Sequence, residues 1–169
     1  MKEMTHRLVN ATEIPNEEIE EYYKEFKEHG EDCYVLYLLK TMSVQEWKMH
    51  LVTDTHTQCI AFLVNDKVAG IGRITMKPNH QEAGMFGYAI RPTMRGQRLA
   101  TKFIEIVSEC FVKTVSDDLT ACVDIKNAKS LNAFISAGWK FTGRTFEWSQ
   151  SRIAIELSTK GSKMLYNRF

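Results

Sequence analysis

Apolar and polar residues follow two different spacings along this chain, and each spacing predicts one kind of secondary structure. In the stretch CIAFLVNDKVAGIGRITM, residues 59–76, two apolar runs flank Asn65-Asp66, which is typical of a β-hairpin. The stretch MFGYAIRP predicts another strand, which Pro92 ends because proline cannot donate to a hydrogen-bond ladder. Further strands are expected in His6–Thr12, Leu119–Asp124, Trp139–Trp148 and Ser151–Ser158.

Apolar residues at helical spacing predict four helices. The first has Asn16 as its expected N-cap, the second begins with the cap signal Ser43, the third starts near Leu99, and Asn127 caps the fourth. The apolar faces of the first, third and fourth helices comprise Ile19, Tyr22, Tyr23, Phe26, Leu99, Phe103, Ile106, Val107, Cys110, Phe111, Leu131, Phe134 and Ile135.

The order of these elements predicts the fold class. A strand is followed by two helices, three antiparallel-type strands, a helix, a strand, a helix and two closing strands, which indicates a mixed α/β fold with helices on a central sheet. The strand–helix–strand segment from Tyr88 to Val123 predicts a parallel pair with a right-handed crossover. The 169 residues fit one domain spanning residues 1–169.

Composition and charge limit the classes of partner. The chain is 44% hydrophobic and 25% charged, with a formal net charge of +1, so any anion site must be local. This balance argues against a nucleic-acid partner, because phosphate recognition usually requires an excess of Lys and Arg. No apolar run has the length of a signal peptide or of a membrane span of about 20 residues, so no membrane partner is expected.

The cysteines indicate the compartment and argue against a metal. None of the four pairs in a CxxC, and no histidine lies at metal-ligand spacing from them. We therefore expect buried thiols, no metal cofactor and a reduced, cytoplasmic location. The four residues are Cys33, Cys59, Cys110 and Cys122.

The stretch GYAIRPTMRGQRLATKF, residues 87–103, carries the chemistry. The first N–H groups of a helix lack partners within the helix and lie at the positive end of its dipole, so they bind anions. Gly96 lets an anion approach the backbone, and Arg95 and Arg98 would add charge-assisted hydrogen bonds. The spacing matches neither a P-loop nor GxGxxG. The alternative is an ordinary solvated turn whose arginines face water.

The same stretch resembles the signature of the GCN5-related N-acetyltransferases, which is Arg or Gln, two residues, Gly, one residue, then Gly or Ala. Arg95 stands at the first position of this signature and Ala100 at the last. A second family feature also matches, with Asn127, Ser130 and the pair Gly138-Trp139 in the expected order. The resemblance extends from about residue 59 to residue 157.

The resemblance implies a sheet of about seven strands, splayed between strands 4 and 5 and flanked by about four helices. It also implies that acetyl-coenzyme A is the cosubstrate and that an amine attacks the thioester directly. The backbone of the fourth strand would pair with the pantetheine arm, and the amide of Ala89 or Ile90 would polarise the thioester carbonyl. The residues implied to bind the cofactor are Ala89, Ile90, Arg91, Arg95, Gly96, Gln97, Arg98, Leu99, Ala100, Thr101, Asn127 and Ser130.

Three positions depart from the family pattern. Arg98 replaces the central signature glycine, and Phe134 stands where the family commonly has a tyrosine that protonates the leaving thiolate. Met85 stands at the position of the common glutamate base. His80 and Glu82 are the candidate bases here, and the alternative for each is an exposed loop side chain.

The expected acceptor site borders residues 28–37 and 145–152. Acidic side chains there would attract a cationic amine of a small molecule or a peptide. The alternative is a solvated acidic face, and the acids concerned are Glu28, Glu31, Asp32 and Glu147.

Three functions are consistent with the sequence. The first is an acetyl-coenzyme A-dependent N-acetyltransferase, acting as a monomer or a homodimer. The second is a coenzyme A-binding sensor without turnover, for which the departures at Met85 and Phe134 argue. The third, a nucleotide or nucleic-acid site at Arg91, Arg95 and Arg98, is disfavoured by the near-neutral charge.

Overall fold

A computed structural model describes residues 4–76, 84–112, 118–149 and 152–160 of the protein, which are called the described residues. The described residues form seven strands and four α-helices. The strands are β1 (His6–Asn10), β2 (Thr57–Val64), β3 (Lys67–Thr75), β4 (Gly84–Ile90), β5 (Leu119–Asp124), β6 (Lys140–Ser149) and β7 (Arg152–Ser158). The helices are α1 (Asn16–Glu28), α2 (Val44–Thr53), α3 (Leu99–Phe111) and α4 (Ala128–Ser136).

The strands form one mixed sheet in the order β1-β2-β3-β4-β5-β7-β6. β4 and β5 run parallel and pair at Gly84 with Leu119 and at Met85 with Thr120. The predicted mixed α/β class with a parallel fourth and fifth strand is therefore confirmed. Within the described residues, the ladder between β4 and β5 comprises these two pairs.

The chain divides into two compact units. The first comprises Met1–Thr75 with Gly87–Leu99, and the second comprises Met76–Phe86 with Ala100–Phe169. The expectation of one domain over residues 1–169 stays a prediction.

In the first unit, β2 and β3 form the predicted hairpin. Asn65 and Asp66 both have positive φ, of 49° and 64°, which a two-residue turn between right-twisted strands requires. Helices α1 and α2 bury one face each in the core of this unit, where Tyr22, Phe26 and Trp47 are among the largest side chains. Full burial of a large apolar side chain stabilises a fold by about 1.5–3 kcal/mol.

In the second unit, aromatic rings form the centre of the core. Phe86 contacts Phe103 edge to face at 5.8 Å between ring centroids, and Phe134 lies 4.7 Å from Trp139. The indole Nε1 of Trp139 donates to Ser108 Oγ at 2.9 Å, which satisfies the polar end of this buried ring.

Two of the predicted caps are confirmed, and one is wrong. Ser43 and Glu46 form a complete capping box, and the Asn127 side chain accepts from the Ser130 amide at 3.2 Å. Asn16 is not the N-cap of α1, because the helix already includes it and Pro15 takes the cap position without a side-chain bond. Proline's fixed φ, near −65°, suits the entry to a helix.

Two residues of the predicted apolar faces are exposed. Cys110 lies near the end of α3 and Ile135 near the end of α4, where 45% of Ile135 is accessible. The buried positions are Ile104 on α3 and Ala133 on α4 instead. Because a straight helix turns 100° per residue, an apolar residue at the margin of the stripe near a helix end faces outward.

Candidate active site

The residue that follows strand β4, Arg91, has a fully buried side chain. Its Nε donates to Glu25 Oε1 at 2.8 Å, and its Nη1 donates to Glu18 Oε1 at 3.1 Å. Nη1 also donates to the Val68 carbonyl oxygen at 3.1 Å, and Nη2 lies 3.4 Å from a carboxylate oxygen of Glu21. Arg91 thereby fastens the start of the turn to α1 and β3.

Glu25 holds two residues of the turn at once. Burial on its own would raise the pKa of Glu25, but a 2.8 Å hydrogen bond from Thr93 Oγ1 and the charge of Arg91 lower it below its usual 4.5. Glu25 is therefore ionised at neutral pH. A buried guanidinium requires such partners, because an uncompensated buried charge costs several kcal/mol.

Arg95 is also bound to the protein. Its two terminal nitrogens donate to the two carboxylate oxygens of Glu31 at 2.7 and 2.8 Å, a bidentate pair, and its Nε donates to the Ile90 carbonyl oxygen at 3.2 Å. The hydrogen bonds with Glu31 raise the pKa of Arg95. The Arg95 side chain thus fixes the turn, and its contact with an anion stays a prediction.

The turn from Gly96 to Arg98 presents backbone N–H groups. Gly96 has a φ of +83°, and within the described residues no heavy atom lies within 4 Å of the place a Cβ would take there. In the same part of the chain, no oxygen accepts a backbone–backbone hydrogen bond from the amides of Gly96, Gln97 or Arg98. Helix α3 begins at the next residue, so its positive end lies at this turn.

Arg98 adopts a backbone conformation that favours glycine. Its φ is +58°, in the left-handed region, which costs a side-chain-bearing residue about 1–2 kcal/mol. The residue stands at the central glycine position of the signature, so the structure explains why glycine is preferred there. Its side chain is exposed.

A tyrosine hydroxyl lies between strands β3 and β4. Tyr22 Oη accepts from the Ile71 amide at 3.2 Å and donates to the Ala89 carbonyl oxygen at 2.6 Å. Burial raises the pKa of Tyr22 well above its usual 10, so the hydroxyl keeps its proton and donates throughout the physiological range. The hydroxyl therefore fixes the orientation of the peptide group between Ala89 and Ile90.

The orientation of that peptide determines where the Ile90 amide points. A trans peptide is planar, and its carbonyl and N–H point in opposite directions. Because the Ala89 carbonyl faces β3, the Ile90 N–H points away from β3. The next amide, that of Arg91, points back and donates to the Ala69 carbonyl oxygen at 2.7 Å, as strand alternation requires.

A second tyrosine, Tyr34, contacts the backbone of β4. Tyr34 Oη donates to the Tyr88 carbonyl oxygen at 2.9 Å. A Cβ added at Gly87 would lie 2.6 Å from the Tyr34 hydroxyl, so glycine is required for this approach. Tyr34 belongs to a short 3-10 helix, Tyr34–Lys40, which follows α1.

The remaining predicted site residues are distributed as follows. Ala100 and Thr101 lie in the first turn of α3, and Leu99, the first residue of that helix, is buried. Asn127 and Ser130 lie in the second unit, where the Asn127 side chain caps α4. The candidate bases, His80 and Glu82, lie outside the described residues.

The two departures from the catalytic pattern have different environments. Phe134 is buried among Phe86 and Trp139, so its role in the core, which the helical spacing predicts, is confirmed. Met85 is 42% exposed. Neither side chain exchanges protons.

The acids that border the expected acceptor site are largely paired. Glu31 binds Arg95, and Asp32 lies 2.9 Å from Lys40 Nζ. Glu28 lies 3.5 Å from Lys24 Nζ. These pairs reduce the attraction that the acids would exert on a cationic amine.

Sequence reasoning missed the roles of Tyr22, Tyr34, Glu18 and Glu25. Tyr22 reads as one member of an apolar helix face, and the two glutamates read as polar residues on the same helix. One signal was present: Glu18, Glu21 and Glu25 recur at spacings of three and four residues, which places them along one helix stripe.

None of the helices in the described residues is long and apolar enough to cross a membrane. In that same part of the chain, no group of three or more His, Cys, Asp or Glu side chains is arranged to hold a metal ion.

Comparison with known proteins identifies the family. The family described as the acetyltransferase (GNAT) domain matches residues 5–140. No curated protein matches the chain in sequence.

Solved structures of acetyltransferases share the fold. The N-acetyltransferase PseH of Campylobacter jejuni, in complex with acetyl coenzyme A, is 17% identical with a TM-score of 0.64, over 91% of this chain and 97% of that one. The Salmonella typhimurium enzyme that modifies the N-terminal serine of ribosomal protein L7/L12 is 11% identical with a TM-score of 0.69, over 92% and 98%. RimL, an L7/L12 alpha-N-protein acetyltransferase in complex with coenzyme A, is 11% identical with a TM-score of 0.72, over 91% and 93%.

Proposed function

Because this chain belongs to the acetyltransferase (GNAT) domain family, we propose that it transfers an acetyl group from acetyl-coenzyme A to an amine of a small molecule or peptide. The observation that carries the proposal is the turn from Gly96 to Arg98, whose amides have no backbone acceptor within the described residues and lead into the positive end of α3. Neighbours solved with acetyl-coenzyme A or coenzyme A support the choice of cosubstrate.

The residues of the turn fit a pyrophosphate. The amides from Gly96 to Thr101 would donate to its oxygens, and the exposed Arg98 guanidinium would add a charge-assisted bond. Arg91 and Arg95 act as positioning residues, since both are bonded to glutamates. Asn127 and Ser130 remain predicted cofactor contacts.

The edge of β4 supplies the proposed catalytic donor. Of the two amides that the sequence leaves open, Ile90 fits better, because the Tyr22 hydroxyl turns its N–H away from β3. A preorganised N–H that faces developing negative charge on a carbonyl oxygen stabilises the transition state, and removal of one such donor costs about 10²–10³ in rate. Tyr22 is then a positioning residue for this amide.

Acetyl-coenzyme A supplies an acetyl group activated as a thioester. The neutral amine attacks the carbonyl carbon, the C–N bond forms, the C–S bond breaks, and the proton lost by the amine balances the proton gained by the leaving thiolate. Alignment of the amine beside the carbonyl provides much of the rate. We propose His80 or Glu82 as the base that receives the amine proton.

A coenzyme A sensor without turnover is the second candidate. It is favoured by one observation: Phe134, at the position of the common tyrosine acid, is buried among aromatic rings. We further infer a cytoplasmic location, which the thiol state of the four cysteines supports, and a monomer or homodimer.

The test is thiol release from acetyl-coenzyme A over a panel of small amines and peptides, with the acetylated product identified by mass spectrometry. We expect release that depends on the amine. Binding of acetyl-coenzyme A without release for any amine would favour the sensor. Calorimetric binding of ATP or an oligonucleotide, with none of acetyl-coenzyme A, would contradict both candidates.

A further inference from the structure

Arg73, like Arg91, belongs to the first unit, but its guanidinium has a different environment. Arg73 lies on β3 and is partly buried, and its buried Nε has no hydrogen-bond partner in the part of the chain that the structure describes. Among the described residues, no carboxylate forms an ion pair with it. Its one described aromatic contact is the ring of Tyr37, whose centroid lies 5.6 Å from the guanidinium carbon.

The tyrosine against this cation, Tyr37, shares a short helix with a second exposed tyrosine, Tyr34. Tyr34 is 55% exposed and Tyr37 is 47% exposed, an unusual accessibility for large aromatic side chains in the same short 3-10 helix. The short helix joins the two contacts, since Tyr37 lies against Arg73 and Tyr34 donates to the Tyr88 carbonyl oxygen of β4. We call Arg73, Tyr34 and Tyr37 the Arg73 patch.

The Arg73 patch adjoins the proposed catalytic edge. The Tyr34 hydroxyl binds the carbonyl of Tyr88, two residues before Ile90, and lies over Gly87, where no side chain fits. A molecule that rests on the patch would therefore lie beside the same strand whose Ile90 amide is proposed to meet the thioester.

The charge of the patch selects for anions. A partly buried guanidinium without an acid has lost part of its hydration and gains more from an incoming anion than an exposed one does. Arginine binds carboxylate and phosphate through two parallel N–H bonds, and the Tyr37 ring beside Arg73 adds an apolar face and a hydroxyl group. Two acids of the expected acceptor border, Glu31 and Asp32, are paired with Arg95 and Lys40, which reduces their repulsion of an anion.

We propose that the Arg73 patch binds a carboxylate or phosphate group of the amine acceptor, so that the preferred acceptors are amines that carry an anionic group. This inference rests on the proposed acetyltransferase function. It adds an anionic group on the acceptor to the expectation, drawn from the sequence, that acidic residues attract a cationic amine.

The experiment uses acceptors matched in pairs on the full chain. One pair is a dipeptide and its C-terminal amide, and the other is O-phosphoethanolamine and ethanolamine. In at least one pair, we expect kcat/KM for the anionic member to exceed that for its neutral partner by about tenfold or more. This is roughly the effect of one charge-assisted hydrogen bond. The first pair reports on carboxylate and the second on phosphate.

Variants of Arg73 test whether this residue causes the preference for anionic acceptors. Arg73→Gln should lower kcat/KM for the anionic member about tenfold more than for its neutral partner, and Arg73→Lys should restore part of the preference. Arg7→Gln is the matched control, since Arg7 is exposed and paired with Asp66. Melting temperatures of all variants separate loss of recognition from loss of folding.

The outcomes distinguish the two proposals. Turnover of anionic and neutral members at equal kcat/KM, or a preference that Arg73→Gln leaves intact, would overturn the anion inference while the acetyltransferase function stands. Absence of turnover with every acceptor, although acetyl-coenzyme A binds, would overturn the acetyltransferase function and the inference with it.

Discussion

Arg91 and Arg73 lie in the same unit, and both guanidinium groups are removed from bulk water to different degrees. Arg91 is fully buried, donates to Glu18 and Glu25, and lies near Glu21. Arg73 is partly buried, lies against Tyr37, and forms no ion pair with any described carboxylate. Among the described residues, Arg91 therefore has acidic partners that compensate its charge, and Arg73 has none.

The comparison indicates two uses of the same side chain. A compensated buried cation fixes structure, because each of its hydrogen bonds joins two elements of the fold. A partly buried cation without an acid leaves binding capacity for a ligand. An arginine in a sequence therefore predicts an anion site only if the folded chain gives its guanidinium no acidic partner.

The largest expected difference between the two arginines is in stability. Arg91→Gln should lower the free energy of unfolding by about 3–5 kcal/mol, because it removes the buried guanidinium that pairs with the partly buried carboxylates of Glu18 and Glu25. Arg73→Gln should change it by less than about 1 kcal/mol, since no described ion pair is broken. Urea denaturation of both variants measures this, and equal losses would abolish the distinction.

Glu25→Gln tests the compensated side of the comparison. At pH 7 it should lower the free energy of unfolding by about 2–3 kcal/mol, the value of charge-assisted hydrogen bonds to Arg91 and Thr93. Burial opposes ionisation of Glu25, but the bond from Thr93 and the charge of Arg91 lower its pKa overall.

The sign of the pH dependence follows from that lowered pKa. The unfolded chain binds the proton more readily, so the stability that Glu25 contributes is present above about 4.5 and is lost as the pH falls through the folded pKa. Unfolding experiments from pH 7 to pH 3 should show the wild-type and Glu25→Gln proteins converging in acid. A constant difference would contradict the assignment.

Tyr22→Phe tests whether the hydrogen bond from Tyr22 to the Ala89 carbonyl oxygen of β4 affects catalysis. Loss of the hydroxyl should cost about 1–2 kcal/mol of stability, since it leaves the Ile71 amide and the Ala89 carbonyl without their partner. It should also lower kcat about tenfold or more with little change in the Kd for acetyl-coenzyme A, because the freed peptide reorients the Ile90 amide and leaves the turn amides in place. Tyr23→Phe, the neighbouring tyrosine on α1, is the control, and equal kcat losses would refute the positioning role.

Arg98 gives the smallest expected effect. Arg98→Gly should raise the free energy of unfolding by about 1 kcal/mol, because glycine adopts a φ of +58° without a steric cost. If the turn amides supply most of the phosphate contacts, the Kd for acetyl-coenzyme A should change by less than about fivefold. Calorimetry and thermal denaturation measure the two quantities, and a loss of stability would show that no strain is relieved.

Much of the fold follows from local sequence signals. The hairpin at Asn65-Asp66, the capping box at Ser43, the cap at Asn127 and the helix that starts at Leu99 all depend on residues close together in the chain. The predicted burial of Ile135 was wrong, because the exposure of a residue near a helix end depends on which neighbours cover that end.

The site is less predictable from sequence than the fold. The open turn at Gly96 was expected, since glycine and a helix start are visible locally. The partners of Arg91 were not, because Glu18 and Glu25 lie 73 and 66 positions away and only the folded chain joins them. The same separation concealed the Tyr22 hydroxyl, which lies 67 positions from Ala89.

The most direct test of the central claim, that the turn amides hold a pyrophosphate, is calorimetric titration of acetyl-coenzyme A into Gly96→Asp and Gly96→Asn. Both side chains have the same shape and tolerate a positive φ, so they differ mainly in one negative charge at the open position. We predict a Kd about tenfold or more weaker for Gly96→Asp than for Gly96→Asn, at equal melting temperatures. Equal affinities of the two variants would contradict the claim.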